Sequence, residues 1–357
     1  MENKVKRKLW FGLPDDIIRL IMNRLYYVDQ IRFRAVCKSW REANVDGVKY
    51  TDKLPWMMAF NSSCCLLYDP NNKRKYTVFN DWSSRREKFI GVKTLDGKNG
   101  WMLFCREESI STTNSLFFYS PFIDSIIELP KLWFDICTCS ATFSTTPLSP
   151  DCVVFVLRAD TKMRYICICK PGDERWTKLR IPGSSSKSKL CFDDAEYVDG
   201  LLYCISSFCP TEMCTFNVAR REWKTYAYPP NTGGWRCSDY LTEFDGNLFL
   251  SHYLADAGRW RVLRFDPSRM DWFKVENLDD KLLLLNRRVS ICCPVDKGSE
   301  FSNTILAGRF SDRYIYIKES EYESRRPSHP KPKLSQIYDW NVGKLICFWI
   351  QPPLPSC

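Results

Sequence analysis

The sequence predicts an α+β chain in two parts, a small three-helix module followed by an all-β propeller of six blades, with seven the alternative count. Three observations predict it. Helical periodicity is confined to residues 13–43. From Leu54 onward, short apolar runs alternate with turn residues in the manner of strands. Within that stretch one hairpin pattern recurs about every 50 residues, a spacing suited to propeller blades and left unexplained by a β-sandwich.

The helical module comes first. Pro14 suits a first helical position, where a missing N–H costs nothing, and Asp15 and Asp16 favour the positive end of the helix. Ile17, Ile18, Ile21 and Leu25 then recur at helical spacing. Asp29 can cap a second helix carrying Ile31, Phe33 and Val36, and a third begins near Cys37–Ser39 and carries Trp40. Three short helices cannot hide all these apolar groups by themselves, since a unit below about 40 residues is marginal alone.

The run Leu13-Pro14-Asp15-Asp16-Ile17-Ile18, with Ile21, Leu25, Asp29, Phe33-Arg34 and Val36-Cys37-Lys38-Ser39-Trp40-Arg41, resembles an F-box almost position for position. The resemblance spans residues 10–45. It implies docking on the Skp-type adaptor of a cullin ligase and, through that adaptor, association with the cullin and RING subunits. By the same resemblance, Leu13, Pro14, Ile17, Ile18, Ile21, Leu25, Val36, Cys37 and Trp40 include the adaptor-facing surface. The sequence does not divide them between that surface and the module's own core.

The propeller is expected over residues 54–351, with residues 318–333 a polar, Pro-rich loop interrupting the last blade. A basic tail (1–9) precedes the module and a short tail (352–357) ends the chain. The recurring hairpins are LLYDPNNKRKYTVF, FFYSPFIDSIIELP, ICICKPGDERWTKLRIP, CTFNVARREWKTYAYP, VLRFDPSRMDWFKVENL and QIYDWNVGKLICFWI. A second hairpin with a tight turn precedes several of them, at Asp96-Gly97, Asp199-Gly200 and Asp245-Gly246. The plan is four antiparallel strands per blade. This portion is similar to plant F-box proteins with a kelch-like C-terminal domain, on Leu54-Pro55-Trp56, Gly100–Leu103, Ile127–Pro130, Leu241–Asp245 and Phe265-Asp266 through Val275. It lacks the kelch double glycine.

Composition removes several function classes. Hydrophobic residues are 45%, charged residues 26% and aromatics 15%, the composition of a folded chain rich in strands. No apolar run of about 18 residues is present, so a membrane is not an expected partner. The 18 cysteines fall in strand-like text without any CxxC and without a secretory leader ahead of them, so they read as reduced, buried residues. With two histidines, His252 and His329, a metal site, a cofactor site and a catalytic triad are all unexpected. No phosphate loop, dinucleotide fingerprint or nucleophile elbow occurs. The basic cluster Lys4, Lys6, Arg7 and Lys8 suits a nuclear or cytoplasmic protein.

The function read from these features is that of a non-catalytic substrate receptor of an SCF-type ubiquitin ligase. An RNA-binding propeller and a propeller enzyme are the rival readings, and neither accounts for Leu13–Trp40. Strand alternation places the tight turns at one end of the blades. The opposite end gathers residues 80–88, 105–114, 183–189, 206–212, 229–238 and 254–260. It brings Trp82, Arg85, Arg86, Arg106, Trp235, Arg236, Arg259 and Trp260 together as the candidate face for an acidic or phosphorylated target.

Overall fold

A computed structural model describes residues 13–25, 27–34, 36–42, 54–60, 65–78, 86–89, 91–107, 113–134, 139–159, 164–181, 192, 194–206, 212–227, 239–254, 259–286, 288–299, 301–310, 315–319 and 346–352. The chain divides into two compact units, Met1–Leu54 with Leu354–Cys357, and Pro55–Pro353.

The first unit holds helices α1 (Asp15–Met22), α2 (Tyr27–Arg34) and α3 (Lys38–Glu42). Pro14 stands at the N-cap of α1 rather than inside it, and its carbonyl accepts from the amides of Ile17 and Ile18 at 3.1 Å each. Asp29 falls in the first turn of α2 instead of capping it, and Val36 lies beyond its end. The buried Gln30 joins the first two helices: its Nε2 donates to the carbonyls of Met22 (2.9 Å) and Leu25 (3.1 Å). The Met22 carbonyl belongs to the last turn of α1, where carbonyls lack an α-helical partner.

The second unit is a six-bladed propeller of 24 described strands. Its first blade joins β1 (Trp56–Phe60), β2 (Cys65–Asp69) and β3 (Arg74–Thr77) to the far end of the chain, β24 (Ile346–Ile350), in the order β24-β1-β2-β3. The second blade is β4 (Val92–Lys98), β5 (Trp101–Glu107), β6 (Asn114–Ser120) and β7 (Ser125–Glu128), reached through a short helix α4 (Arg86–Phe89). The third is β8 (Ser140–Phe143), β9 (Val154–Ala159), β10 (Arg164–Cys169) and β11 (Thr177–Arg180). The fourth is β12 (Asp194–Val198), β13 (Leu201–Ser206), β14 (Glu212–Asn217) and β15 (Glu222–Ala227). The fifth is β16 (Asp239–Phe244), β17 (Asn247–Leu254), β18 (Arg259–Asp266) and β19 (Asp271–Lys274). Strands β4, β8, β12, β16 and β21 (Ile291–Pro294) are packed in succession at the centre, with β24 beside β4.

The sixth blade departs from the four-antiparallel plan. Its order is β21-β20-β22-β23, from β20 (Lys281–Leu285), β22 (Thr304–Phe310) and β23 (Ile315–Glu319), and β20 pairs with β22 in parallel. Among the described residues the last outer hairpin is β22–β23. Ile346–Ile350 supplies the inner strand of the first blade, and residues 334–345 lie outside the described residues. Lys318 and Glu319 belong to β23 rather than to the Pro-rich loop, whose remainder (320–333) also lies outside them.

Local chemistry explains the recurring hairpins. In the outer turns an Asx side chain caps the following amides: Asp69 Oδ1 accepts from Asn71 N (2.9 Å) and Asn72 N (3.2 Å), and Asp266 Oδ1 from Ser268 N (2.9 Å). The inner turns Asp199-Gly200 and Asp245-Gly246 place both residues at positive φ, as a type I′ turn requires. In the second blade that turn is Asn99-Gly100 (φ 50° and 77°), not Asp96-Gly97. A β-bulge between Thr94 and Asp96 keeps Asp96-Gly97 within β4, where Asp96 is buried and its carboxylate accepts from Gly97 N and Thr142 Oγ1, both at 2.7 Å.

Period-two alternation divides each strand between two cores. Val154 and Val156 of β9 pack with Leu116 and Phe118 of the second blade and with Phe134 of the link that follows it, while Phe155 and Leu157 pack with Leu202, Cys204 and Phe216 of the fourth. Similar cores lie between blades four and five and between five and six. At the centre, polar side chains link the blades. Lys98 pairs with Glu196 of the fourth blade and lies 3.8 Å from Asp96, and Asp194 accepts from Leu241 N at 2.8 Å. Arg288 donates to the Cys139 carbonyl at 3.3 Å, joining the sixth blade to the third.

Two outcomes follow from this architecture. A chain ending at residue 345 lacks β24 and leaves β1 without a partner on one side. It also loses Trp349, which is fully buried and whose class of side chain is worth about 3–5 kcal/mol. Thermal unfolding of this truncation is expected to be broad and well below that of the full chain, and an unchanged cooperative melt would disprove ring closure by β24. The second outcome concerns pH. Burial, against the pull of Lys98, lifts Glu196 to about 7, and burial also raises Asp96 and Asp194. A carboxyl raised on folding takes up a proton between about pH 4.5 and 7, so its contribution is greatest at the acid end and is lost as pH rises through 7. Unfolding free energies from urea titrations at pH 5 and 7.5 should differ less in Glu196→Gln than in the wild type, by roughly 1–3 kcal/mol. Equal differences would exclude Glu196 as a source of the pH dependence.

Candidate partner-binding surfaces

The helical unit separates its apolar residues into two groups. Ile18, Met22, Phe33 and Trp40 are buried together, with Phe33 and Trp40 stacked at 4.1 Å and 15°. Leu13, Ile21, Leu25 and Cys37 are packed against that cluster and half-buried. Ile17 (38% exposed), Leu20 (50%) and Val36 (60%) face outward, and Pro14 is also exposed. Of the nine residues singled out in the sequence, Ile18 and Trp40 therefore belong to the unit's own core. Leu20 and Met22 were missed, although both lie within the α1 periodicity.

The geometry of α1 gives the reason for this division. At about 100° per residue, Leu20, Ile17, Ile21, Ile18 and Met22 subtend roughly 200° of the helix. A helix facing a single core needs an apolar arc of about 100°. The Ile18–Met22 half is covered within the unit, and the Leu20–Ile17 half is exposed.

On the propeller, the eight singled-out residues are not assembled into one described surface. Trp82, Arg85, Trp235 and Arg236 lie outside the described residues, as do the side chains of Arg86 and Arg259. Arg106 is half-buried, and its Nη1 donates to the Glu87 carbonyl at 3.4 Å. Trp260 must be withdrawn from the candidate face. It is 5% exposed and packs with Tyr240 and Tyr253 in the core between blades five and six, because β18 begins at Arg259 and alternation turns the next side chain inward.

His252 is buried and pairs through Nδ1 with Asp239, while its Nε2 meets no hydrogen-bond partner among the described residues. A base oriented in this way still needs a nucleophile within reach. Burial pushes the thiols of Cys152 and Cys167 up to about 11 and those of Cys169 and Cys292 up to about 12, which keeps them protonated at neutral pH. Among the described residues, no three His, Cys, Asp or Glu side chains are grouped to hold a metal ion.

Comparison with known proteins agrees with both units. The KIB1-4 beta-propeller family model matches residues 59–319, and the F-box domain model matches residues 10–43. An F-box/kelch-repeat protein of Arabidopsis thaliana is 25% identical over 98% of this chain and 97% of its own length. An F-box protein of the same plant is 26% identical over 96% of this chain and 72% of its own length, and another is 26% identical over 77% and 72%. The chain belongs to the KIB1-4 β-propeller family and carries an F-box domain ahead of its propeller.

Proposed function

We propose that this protein is the substrate-recognition subunit of an SCF-type ubiquitin ligase. Its F-box docks on a Skp-type adaptor, which links it to a cullin and a RING subunit, and its propeller holds a target protein for ubiquitination. The observation that carries the reading is the coincidence of the F-box match at residues 10–43 with a helical unit that leaves Ile17, Leu20 and Val36 exposed around a filled core. Exposed apolar side chains of this size contribute roughly 1.5–3 kcal/mol each when a partner covers them. The receptor need supply no reacting group, since holding the target beside the transfer machinery raises its effective concentration.

The test separates the outward residues from the core. Ile17→Glu with Val36→Glu should abolish capture of the Skp-type adaptor, and Leu13→Ala with Pro14→Ala should weaken it strongly. Both variants should leave the thermal unfolding of the propeller unchanged. Full-strength adaptor recovery by the Ile17/Val36 variant in a pull-down would refute the docking assignment.

A further inference from the structure

The link between the second and third blades carries an exposed tryptophan that the reading of the loop face left out. Trp133 is 46% exposed, on a segment fastened at several points. Asn114 and Leu132 exchange backbone hydrogen bonds at 2.8 and 2.9 Å, Asn114 Nδ2 donates to the Phe134 carbonyl at 2.5 Å, and Trp176 Nε1 donates to the Pro130 carbonyl at 2.7 Å. Its Asn114 partner opens β6 just after the 108–112 connection, so Trp133 lies at the end of the blades chosen in the sequence for the target.

A row of cations lies alongside. Arg158 and Arg180 are the cross-strand partners of Tyr165, and Lys178 is the partner of Cys167, so all three side chains share one face of the third blade. The Arg158 guanidinium stands 4.6 Å from the Phe134 ring centroid, and Lys178 Nζ stands 3.8 Å from that of Tyr165. Phe134 in turn meets Trp133 edge to face at 5.6 Å. None of the three cations forms an ion pair with a carboxylate among the described residues, and Arg158 Nε is buried without a hydrogen-bond partner. The aromatic faces position Arg158 and Lys178 without neutralising them.

We infer that this patch, Trp133 with Arg158, Lys178 and Arg180, binds an acidic segment of the target protein. Its carboxylate or phosphoryl groups lie along the cation row, and an adjacent apolar side chain lies against the Trp133 ring. The inference rests on the receptor reading and supplies the chemistry of the target. A fixed aromatic beside charged donors is the composition of an interface hot spot, and an anion on the row gains charge-assisted hydrogen bonds. Nucleic acid would also meet cations here, but a single exposed ring offers only one stacking platform.

The experiment uses the full chain and four immobilised probes: a ten-residue peptide of Asp and Glu around one Leu, its phosphoserine counterpart, a Lys-for-Glu control and a single-stranded RNA. Binding is expected to one or both acidic peptides, to weaken with salt, and to be absent for the Lys control. Trp133→Ala should weaken it about five- to tenfold, and Lys178→Glu with Arg180→Glu about ten- to a hundredfold. Arg220→Glu with Arg221→Glu, in the β14–β15 turn, should leave it unchanged. The exposed positions chosen should not alter thermal unfolding, which is checked for each variant. Equal binding by wild type and the Lys178/Arg180 variant, or capture of RNA in place of the peptides, would overturn the inference. Adaptor capture is measured on the same preparations. Peptide binding without adaptor capture refutes the ligase reading alone, and adaptor capture without peptide binding refutes this site alone.

Discussion

The antiparallel pairing of β1 with β24 is the constraint on which the propeller depends. A sheet of four short strands has two apolar faces and cannot hide both by itself. Each blade solves this by packing against a neighbour on either side, as adjacent residues of β9 do when they enter different cores. That solution needs the series to close, and the closing partner comes from almost three hundred residues further along the chain. Trp56–Ile350 through Phe60–Ile346 is thus a long-range contact that every local hairpin depends on. Its loop-closure entropy is repaid only once the other blades are in place.

The centre of the ring meets a different demand. Inner strands of the second and fourth blades bring Asp96 and Glu196 within reach of one lysine, with the buried Asp194 close to both carboxylates, and desolvating so many carboxylates is expensive unless protons or partners offset it. Lys98 remains charged, lifted to about 12 by Glu196 and Asp96 against the lowering effect of its own burial. The β-bulge in β4 belongs to this arrangement, because it brings Asp96 toward Thr142 of the next blade. Gly97 then lies so close to Met102 that an added Cβ would stand 2.6 Å from its sulfur.

Much of this fold was legible because its signals are local. The F-box segment is a short run with helical spacing, and the Asx-capped outer turns repeat because each hairpin needs the same amide satisfied. What escaped depends on distant partners. Asp96-Gly97 and Asn99-Gly100 are equally good turn sequences three residues apart, and only the bulge and the burial of Asp96 decide between them. The parallel pairing of β20 with β22 leaves no periodic trace, and nothing local shows that Ile346–Ile350 pairs with the first blade rather than the last. At the surfaces the same limit applied. Spacing identified Ile17 and Ile18 alike, but only packing against Phe33 and Trp40 separates the outward residue from the core one. Trp260 resembled a loop residue until the start of β18 fixed its direction, whereas Trp133 sat in an inter-blade link that was never counted.

The chain therefore treats cations in two opposite ways, and the contrast bears on what its surface can bind. In the centre, Lys98 is surrounded by carboxylates, so its charge is spent inside the protein. At the margin of the third blade, Arg158, Lys178 and Arg180 stand on one face with aromatic neighbours and no carboxylate among the described residues. Like charges in one row repel, and the Phe134 and Tyr165 faces attract Arg158 and Lys178 without reducing that repulsion. An arriving anion relieves it, whereas at Lys98 an anion would have to displace one already bound. On the proposed reading, the charge available for recognition is the charge left without a carboxylate partner among the described residues, and the Trp133 ring beside it adds a directional apolar contact.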